Sequence, residues 1–214
     1  FLLIDLFYPG ELHLSGATHL VSRYNMRMGT ILDDLHTFIS VDIETAGPNP
    51  SQYAMLSIGA CTLTHPRRTF YAELIPDREQ ADPQALQVHG LDLARLRREG
   101  LPPEDALRQL AAWLADVTPP GRKPLMVGFN LPFDWMFVND YFFRYLGGNP
   151  FGHSAVDIKA VYLGASGKSW AETSGAFLHK RYHDGHELTH NALEDAIAQA
   201  VIFEGIVKEF FTLE

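Results

Sequence analysis

Three short apolar runs, separated by turn residues, most constrain how residues 38–75 can fold. Residues 38–44, 54–64 and 69–75 are rich in β-branched, aromatic and other apolar side chains, a composition typical of strands. The sequence His-Pro-Arg-Arg at 65–68 separates the last two runs and is typical of a turn. Because strands joined by such short connections pair as hairpins, we predict three antiparallel strands in one sheet.

Helical and strand patterns alternate along the rest of the chain. The predicted elements are a helix beginning at Asp82 and Pro83, an amphipathic helix over 102–117, a strand over 124–129, a helix over 133–146, a strand over 153–158, a helix from Asn191 to Phe211, and Gly- and Ser-rich loops at 147–152 and 164–175. Strands that alternate with helices pair in parallel and are covered by those helices. We therefore predict an α/β fold, in which a mixed central sheet of three antiparallel strands and then parallel strands carries helices on both faces.

The chain is expected to form one domain preceded by an extension. No linker-like segment divides residues 31–214, and a chain of this length can bury a single large core. Residues 1–30 are interpreted as an N-terminal extension, because the sequence starts with Phe1 and contains Met26 and Met28 as candidate internal starts.

Composition excludes several classes of protein. The single cysteine, Cys61, rules out a disulfide framework or a zinc site built from several cysteines, and it favours a reducing, cytoplasmic location. No apolar run approaches the roughly 20 residues that span a bilayer. The formal net charge of −9 argues against a wide basic surface for coating duplex nucleic acid. It does not exclude an enzyme that grips a few nucleotides with the help of bound cations.

Two acids lie at the end of the first predicted strand, in the sequence VDIET at 41–45. Side chains two residues apart in a strand share a face, so Asp42 and Glu44 project together with about 6.6 Å between their Cα atoms. Two close carboxylates repel each other unless a cation compensates them, and oxygen ligands suit Mg²⁺ or Mn²⁺. A solvated pair, or a pair held by arginine, is the alternative.

Two further stretches place acids at helix starts. Asp134 falls in the first turn of the helix that begins near Pro132, where the helix dipole also favours an acid. Asp195 lies one turn into the last helix, among alanines at 192, 196, 198 and 200. Small neighbours let a helix approach a sheet closely, so an acid among them is not expected to be an ordinary surface residue. His190 precedes Asp195 by five residues.

The order and spacing of these motifs resemble a known family. VDIET, NLPFD and HNALED, together with DPQALQVHGLDLARL at 82–96, are similar to the motifs of the DnaQ-like (DEDDh) 3′–5′ exonucleases, which include proofreading subunits, RNase T and oligoribonucleases. The resemblance covers roughly residues 38–210 and implies an RNase H-like fold. The chain departs from the family pattern in having Phe129 where the family often has His.

The resemblance implies a mechanism and a set of site residues. Two divalent cations, Mg²⁺ or Mn²⁺, would sit about 3.5 to 4 Å apart and assist an in-line displacement at phosphorus. Asp42 would bridge them, Glu44 and Asp195 would complete the site of the attacking water, and Asp134 would hold the second cation. His190 would act as the general base. The implied activity is metal-dependent release of 5′-mononucleotides from single-stranded 3′ ends, and a homodimer is compatible with the family.

Substrate contacts are expected around the terminal nucleotide. The predicted contact residues are Thr45, Ala46, Met55, Leu56, His89, Leu91 and Asn130. For Met55 and Leu56 a place in the core is the alternative. The sequence leaves open whether RNA or DNA is cut, since that choice depends on contacts to the 2′-hydroxyl. A non-catalytic nucleic-acid-binding module and an RNase H-like endonuclease are the other functions considered.

Overall fold

The computed structural model describes residues 35–183 and 189–211. The predicted extension over residues 1–30 lies outside the described residues.

Five strands form one mixed sheet. They are β1 (His36–Thr45), β2 (Met55–Thr62), β3 (Thr69–Glu73), β4 (Lys123–Gly128) and β5 (Ala155–Asp157). Their order across the sheet is β3-β2-β1-β4-β5. The β1–β2 and β2–β3 pairs are antiparallel, whereas β1–β4 and β4–β5 are parallel. The predicted sequence of three antiparallel strands followed by parallel strands is confirmed.

Seven α-helices and a short 3₁₀-helix lie within the described ranges. They are α1 (Pro83–His89), α2 (Leu93–Glu99), α3 (Pro103–Val117), α4 (Pro132–Leu146), α5 (Ile158–Ser166), the 3₁₀-helix (Trp170–Thr173), α6 (Gly175–Tyr182) and α7 (Ala192–Phe210). Asp82 caps α1 as predicted, accepting a hydrogen bond from the backbone N–H of Gln84 at 2.9 Å. Among these helices, none combines the length and the apolar character that crossing a bilayer requires.

The predicted loop over 164–175 is wrong for much of its length. The end of α5 and the whole 3₁₀-helix lie within it. Glu172 accepts hydrogen bonds from both the backbone N–H and the hydroxyl of Ser169, which closes a helical turn in a stretch whose composition is typical of a loop. Side-chain capping therefore overrides the Gly and Ser content there.

The two faces of β1 pack into different hydrophobic clusters. Ile39, Val41 and Ile43 are buried on the face covered by α3 and α4. Phe38 is buried on the other face, where its ring stacks on that of Phe203 of α7 at 6.3 Å between centroids. Because side chains alternate along a strand, Asp42 lies on the face that α7 covers.

A glycine lets α7 approach the sheet beside the acids. Gly59 pairs with Asp42 across the β1–β2 ladder, and a Cβ atom at Gly59 would lie 2.3 Å from the backbone of Ala192. Ala192, Ala196 and Ala200 of α7 are fully buried. The absence of a side chain at Gly59 and the small side chains of α7 bring the first turns of that helix against the acidic end of β1.

A partly buried carboxylate, that of Asp77, joins the segment after β3 to α4. Asp77 accepts hydrogen bonds from the hydroxyls of Tyr141 and Tyr145 and pairs with Arg144 at 2.5 Å. The Tyr141 hydroxyl in turn accepts the backbone N–H of Met55 at 2.7 Å. Burial alone would raise the pKa of Asp77, but the two hydroxyls and Arg144 outweigh it and lower that pKa.

We expect the substitution Asp77→Ala to lower the free energy of unfolding by roughly 2–4 kcal/mol. It removes one of the two carboxylate partners of the partly buried Arg144, the other being Asp140, and the acceptor of two tyrosine hydroxyls. Urea denaturation monitored by circular dichroism measures this loss. Glu79→Ala is the matched control, since the Glu79 side chain is 96% exposed and should change stability by about 0.5 kcal/mol or less. Equal losses of stability for the two substitutions would show that the Asp77 contacts do not stabilise the fold.

Candidate active site

Five chemically active side chains line one cavity of about 180 Å³ at the end of β1. They are Asp42, Glu44, Asp134, His190 and Asp195, and the apolar or amide groups of Ile43, Phe129, Asn130 and Phe133 complete the wall. All five were predicted from the sequence as site residues. Three elements far apart in the chain, β1, α4 and the start of α7, contribute them.

The end of β1 sets the positions of Asp42 and Glu44. The β1–β2 register is regular up to Glu44, which pairs with Ser57, and then shifts so that Thr45 pairs with Met55. Such an irregularity bends a strand and re-aims its side chains. Glu44 offers a carboxylate oxygen that lies within 4.8 Å of ligand atoms of both His190 and Asp195.

The first turn of α4 brings Asp134 to the same cavity. One carboxylate oxygen of Asp134 accepts the backbone N–H of Ile43 at 3.2 Å, and the side chain is only 5% exposed. The start of α4 is itself held by Asp157, which accepts the N–H of Leu131 at 2.7 Å. Asp134 is therefore tied directly to the strand that carries Asp42 and Glu44.

The start of α7 positions Asp195 and His190. Asn191 caps the helix by accepting the N–H groups of Leu193 and Glu194. Asp195 is 4% exposed and accepts hydrogen bonds from the backbone N–H and the hydroxyl of Thr189. Between these anchors His190 has a left-handed backbone, with φ of 54°, and its side chain is exposed at the cavity rim.

Gln199 holds Asp42 in place and is not among the site residues predicted from the sequence. Its amide nitrogen donates to Asp42 at 2.5 Å, and its amide oxygen accepts the backbone N–H of Phe129 at 2.8 Å. It is 3% exposed and lies four residues after Asp195, so both side chains occupy one face of α7. That spacing was the available signal, although a glutamine in a helix carries little information by itself.

We expect the substitution Gln199→Leu to lower the affinity for Mn²⁺ roughly 10- to 100-fold, the usual effect of removing a group that orients a metal ligand. Titration of Mn²⁺ by calorimetry measures it. Gln109→Leu is the matched control, because Gln109 is exposed on α3. A Gln199→Leu protein that binds Mn²⁺ as tightly as the control would show that Asp42 does not depend on Gln199.

Burial and mutual repulsion oppose ionisation of the acids. Burial raises the pKa of Asp42 well above its ordinary value, and the charges of Asp134, Glu44 and Asp195 raise it further. Burial and then Asp195 raise the pKa of Glu44 to about 7. Burial raises the pKa of Asp134 to about 8, to which Glu44 and Asp157 also contribute, against the hydrogen bond from Ile43.

This donor set fits divalent cations. Among the described residues that line the cavity there is no lysine or arginine, so its carboxylates have no fixed positive partner there. A cluster of carboxylates with an adjacent imidazole provides the oxygen-rich ligands that Mg²⁺ and Mn²⁺ prefer, and bound cations would relieve the repulsion that raises these pKa values.

The raised pKa values predict how stability depends on pH without metal. From about pH 4 to pH 8 the folded protein holds protons on Glu44 and Asp134 that the unfolded chain releases, so the free energy of unfolding should fall as pH rises through this range. Divalent cations bind the deprotonated carboxylates, so the stabilisation by Mn²⁺ should grow over the same range.

Melting temperatures measured in EDTA and in Mn²⁺ at several pH values test this expectation. Asp134→Asn keeps an oxygen that can accept the N–H of Ile43 but removes the titration, so it should flatten part of the slope seen in EDTA. A wild-type melting temperature in EDTA that rises steadily from about pH 5 to pH 8 would contradict the prediction.

The predicted substrate-binding residues divide into two groups. The His89 ring nitrogen Nε2 lies 3.2 Å from the Thr45 carbonyl oxygen, and the Leu91 N–H donates to His89 Nδ1 at 3.1 Å. Thus Thr45, His89 and Leu91 form a connected segment next to Glu44. Asn130, with a left-handed φ of 56°, lines the cavity itself.

The prediction of direct substrate contact is corrected for the apolar residues. Met55 and Leu56 are fully buried and Ala46 is 1% exposed, so their side chains present no surface to a nucleotide. Met55 packs in the core beneath α4, while Ala46 and Leu56 pack with Leu91. The alternative of a core position is therefore the right one for Met55 and Leu56, and these residues support the segment that carries Thr45.

A mixed sheet whose central strand ends in two partly buried acids, joined there by buried acids from two helices, is typical of a metal-dependent nuclease of the RNase H-like type. The sequence model of the RNase T-type family, described as exonuclease, matches residues 39–203. A relative from Escherichia coli, the 3′–5′ DNA exonuclease Cap18, is 44% identical over 175 residues, which are 82% of this chain and 94% of that protein. The chain therefore belongs to this exonuclease family and is a DnaQ-like 3′–5′ exonuclease acting on nucleic acid, as the resemblance of its motifs implies.

Solved structures show the same fold. The nuclease domain of 3′hExo, a DEDDh family member bound to rAMP, superposes with a TM-score of 0.69 at 13% identity, covering 86% of this chain and 98% of that domain. Escherichia coli exonuclease I in complex with a dT13 oligonucleotide gives a TM-score of 0.61 at 19% identity, covering 82% of this chain. The chain spans 41% of the length of exonuclease I. The RNase H-like fold is thereby confirmed.

Proposed function

We propose that this protein removes 5′-mononucleotides from the 3′ end of single-stranded DNA with the help of two divalent cations, Mg²⁺ or Mn²⁺. The observation that carries the proposal is the convergence of four carboxylates and His190 on one cavity. The choice of DNA rests on the relative named as a DNA exonuclease, which this chain matches over almost that protein's whole length.

The four acids together are assigned as ligands of the two cations. Asp42, Glu44, Asp134 and Asp195 would hold them, with Asp42 shared because it lies amid the charges of the other three acids. Divalent cations supply an activated attacking water and neutralise charge that develops on the phosphate oxygens. Gln199 and the N–H of Ile43 keep Asp42 and Asp134 in position.

His190 is assigned as the general base. It is exposed at the rim, and its ring has a nitrogen within 4.8 Å of carboxylate oxygens of Glu44 and Asp195. A proton taken from the attacking water by the imidazole leaves through solvent, which an exposed side chain can reach. Asp195 also fixes the backbone of Thr189 beside His190, so the base is held next to the acids it works with.

We expect the 3′-terminal nucleotide to lie in the cavity, next to the segment that follows Glu44. Asn130 and Phe133 line the cavity, whereas Thr45, His89 and Leu91 form a connected segment next to Glu44, outside that lining. Contacts of this kind go to sugar, phosphate and base faces and do not select a base. An enzyme that shortens any strand from its end requires such tolerance.

The experiment compares matched single-stranded DNA and RNA of the same sequence, in linear and circular forms, with Mn²⁺ and with EDTA. We expect rapid shortening of linear DNA in Mn²⁺, slower shortening of RNA, and neither reaction in EDTA. Cutting of circular DNA would favour the endonuclease alternative. Binding of DNA without cutting under any condition would favour a non-catalytic module, and faster cutting of RNA would overturn the choice of DNA.

Two further predictions accompany this proposal. A homodimer is proposed by family resemblance and is measured by light scattering on the purified protein. The cytoplasmic location stays a prediction from the single cysteine, Cys61, whose side chain is buried and free.

A further inference from the structure

An exposed tryptophan, Trp170, lies on a hydrogen-bonded turn close to the active site. Trp170 is 56% exposed, although it begins the 3₁₀-helix (Trp170–Thr173). The backbone carbonyl of Trp170 accepts the hydroxyl of Thr173 at 2.7 Å, and Thr173 is fully buried. The capping contacts of Ser169 with Glu172 close the same turn. The Trp170 ring is therefore exposed on a 3₁₀-helix whose own side-chain hydrogen bonds hold it in place.

A lysine lies between this ring and a ring of the cavity. The ammonium of Lys159 is 4.1 Å from the centroid of the Trp170 ring and 5.8 Å from that of Phe129. Within the described ranges Lys159 pairs with no carboxylate, whereas the nearby Lys168 lies 3.6 Å from Glu172. Lys159 is thus a cation held by aromatic faces, and its charge is available to an anion.

Phe129 connects this pair to the active site. Phe129 lines the cavity that holds the four acids, and its backbone N–H donates to Gln199, the residue that also holds Asp42. Phe129, Lys159 and Trp170 therefore form one continuous strip that leads out of the cavity, which we call the aromatic–lysine strip.

We propose that the aromatic–lysine strip binds the single-stranded DNA that lies on the 5′ side of the scissile phosphate. Bases stack on exposed aromatic rings without regard to sequence, and a lysine among them meets the phosphate backbone. The chain has a net charge of −9, and Lys159 has no carboxylate partner in the part of the chain that the structure describes. Such a cation beside an acidic cavity is complementary to a polyanion. This inference rests on the proposed function, because it assumes that a strand end enters the cavity.

The strip predicts that substrate length matters. The KM of Trp170→Ala should exceed that of the wild type by roughly tenfold on a DNA strand of about 20 nucleotides, the size of effect that loss of one stacking contact produces. On a dinucleotide the difference should be much smaller, because few bases then extend beyond the cavity. Trp170→Phe should recover most of the affinity. Lys159→Gln should reduce the slope of log KM against log salt by about 0.7, the value for one phosphate contact on a single strand.

Phe143→Ala is the matched control, since Phe143 is also 56% exposed but lies on α4. It should behave as the wild type at every length. The proposal is overturned if Trp170→Ala equals this control on the long strand, if its loss is the same on dinucleotide and long strand, or if it alters only the oligomeric state. A wild-type protein that cuts no DNA would instead refute the proposed function. In that case, fluorescence anisotropy of labelled DNA with the same variants would still show whether the aromatic–lysine strip binds DNA.

Discussion

The substitution Asp42→Asn is expected to lower the turnover number on single-stranded DNA by at least roughly 10³-fold. Asp42 lies where the charges of Asp134, Glu44 and Asp195 converge, so the proposal makes it the shared ligand. Stabilisation of phosphate charge by cations is worth several kcal/mol, and each 1.36 kcal/mol is a factor of ten in rate. Asparagine keeps an oxygen that can accept the hydrogen bond from Gln199, so the loss reports on charge and not on packing.

The same substitution should stabilise the protein in EDTA near pH 8. It removes one carboxylate from a cavity in which burial and three neighbouring acids raise the pKa of Asp42. The loss of activity can then be distinguished from a loss of folding, because an inactive variant with a higher melting temperature is folded. Asp105→Asn, on the exposed first turn of α3, is the matched control and should change neither quantity. Undiminished turnover by Asp42→Asn would refute the proposed site.

The substitution His190→Ala should lower the turnover number roughly 10²- to 10⁴-fold, the usual contribution of a general base. The KM for DNA should change little, because His190 is exposed at the rim of the cavity and is assigned to the attacking water, not to holding the strand. Steady-state kinetics over a range of strand concentrations separate the two parameters. His153→Ala, also at an exposed histidine, serves as the control.

A second measurement distinguishes a base from a metal ligand at His190. Its ring nitrogen and the oxygens of Glu44 and Asp195 are close enough to share one ion. If His190 is the base, the His190→Ala protein should bind Mn²⁺ with nearly wild-type affinity while it loses turnover. A large fall in Mn²⁺ affinity that matches the fall in rate would make His190 a ligand and contradict its assignment as base.

The sequence predicted the parts of the site that follow from local periodicity. Asp42 and Glu44 share a side of β1 because strand side chains alternate, and Val41 and Ile43 are buried on the opposite side. Asp195 faces the sheet because small side chains surround it on α7. Spacing along the chain was sufficient for these residues, since each depends on a single element.

The parts that were missed depend on contacts between distant elements. Gln199 matters because its amide spans Asp42 on β1 and Phe129 after β4, and nothing in its neighbourhood in the sequence indicates that. Gly59 matters through the approach of Ala192, more than 130 residues away in the chain. Met55 was predicted as an apolar contact to the terminal nucleotide, but its side chain is fully buried in the core.

The most direct test of the central claim is a time course on single-stranded DNA labelled separately at its 3′-terminal and 5′-terminal nucleotides, with purified wild type in Mn²⁺. We expect the 3′ label to appear at once as a free 5′-mononucleotide, while the 5′ label stays on strands that shorten one nucleotide at a time. Release of the 5′ label first, or a 3′ label that first appears on oligonucleotides, would contradict it.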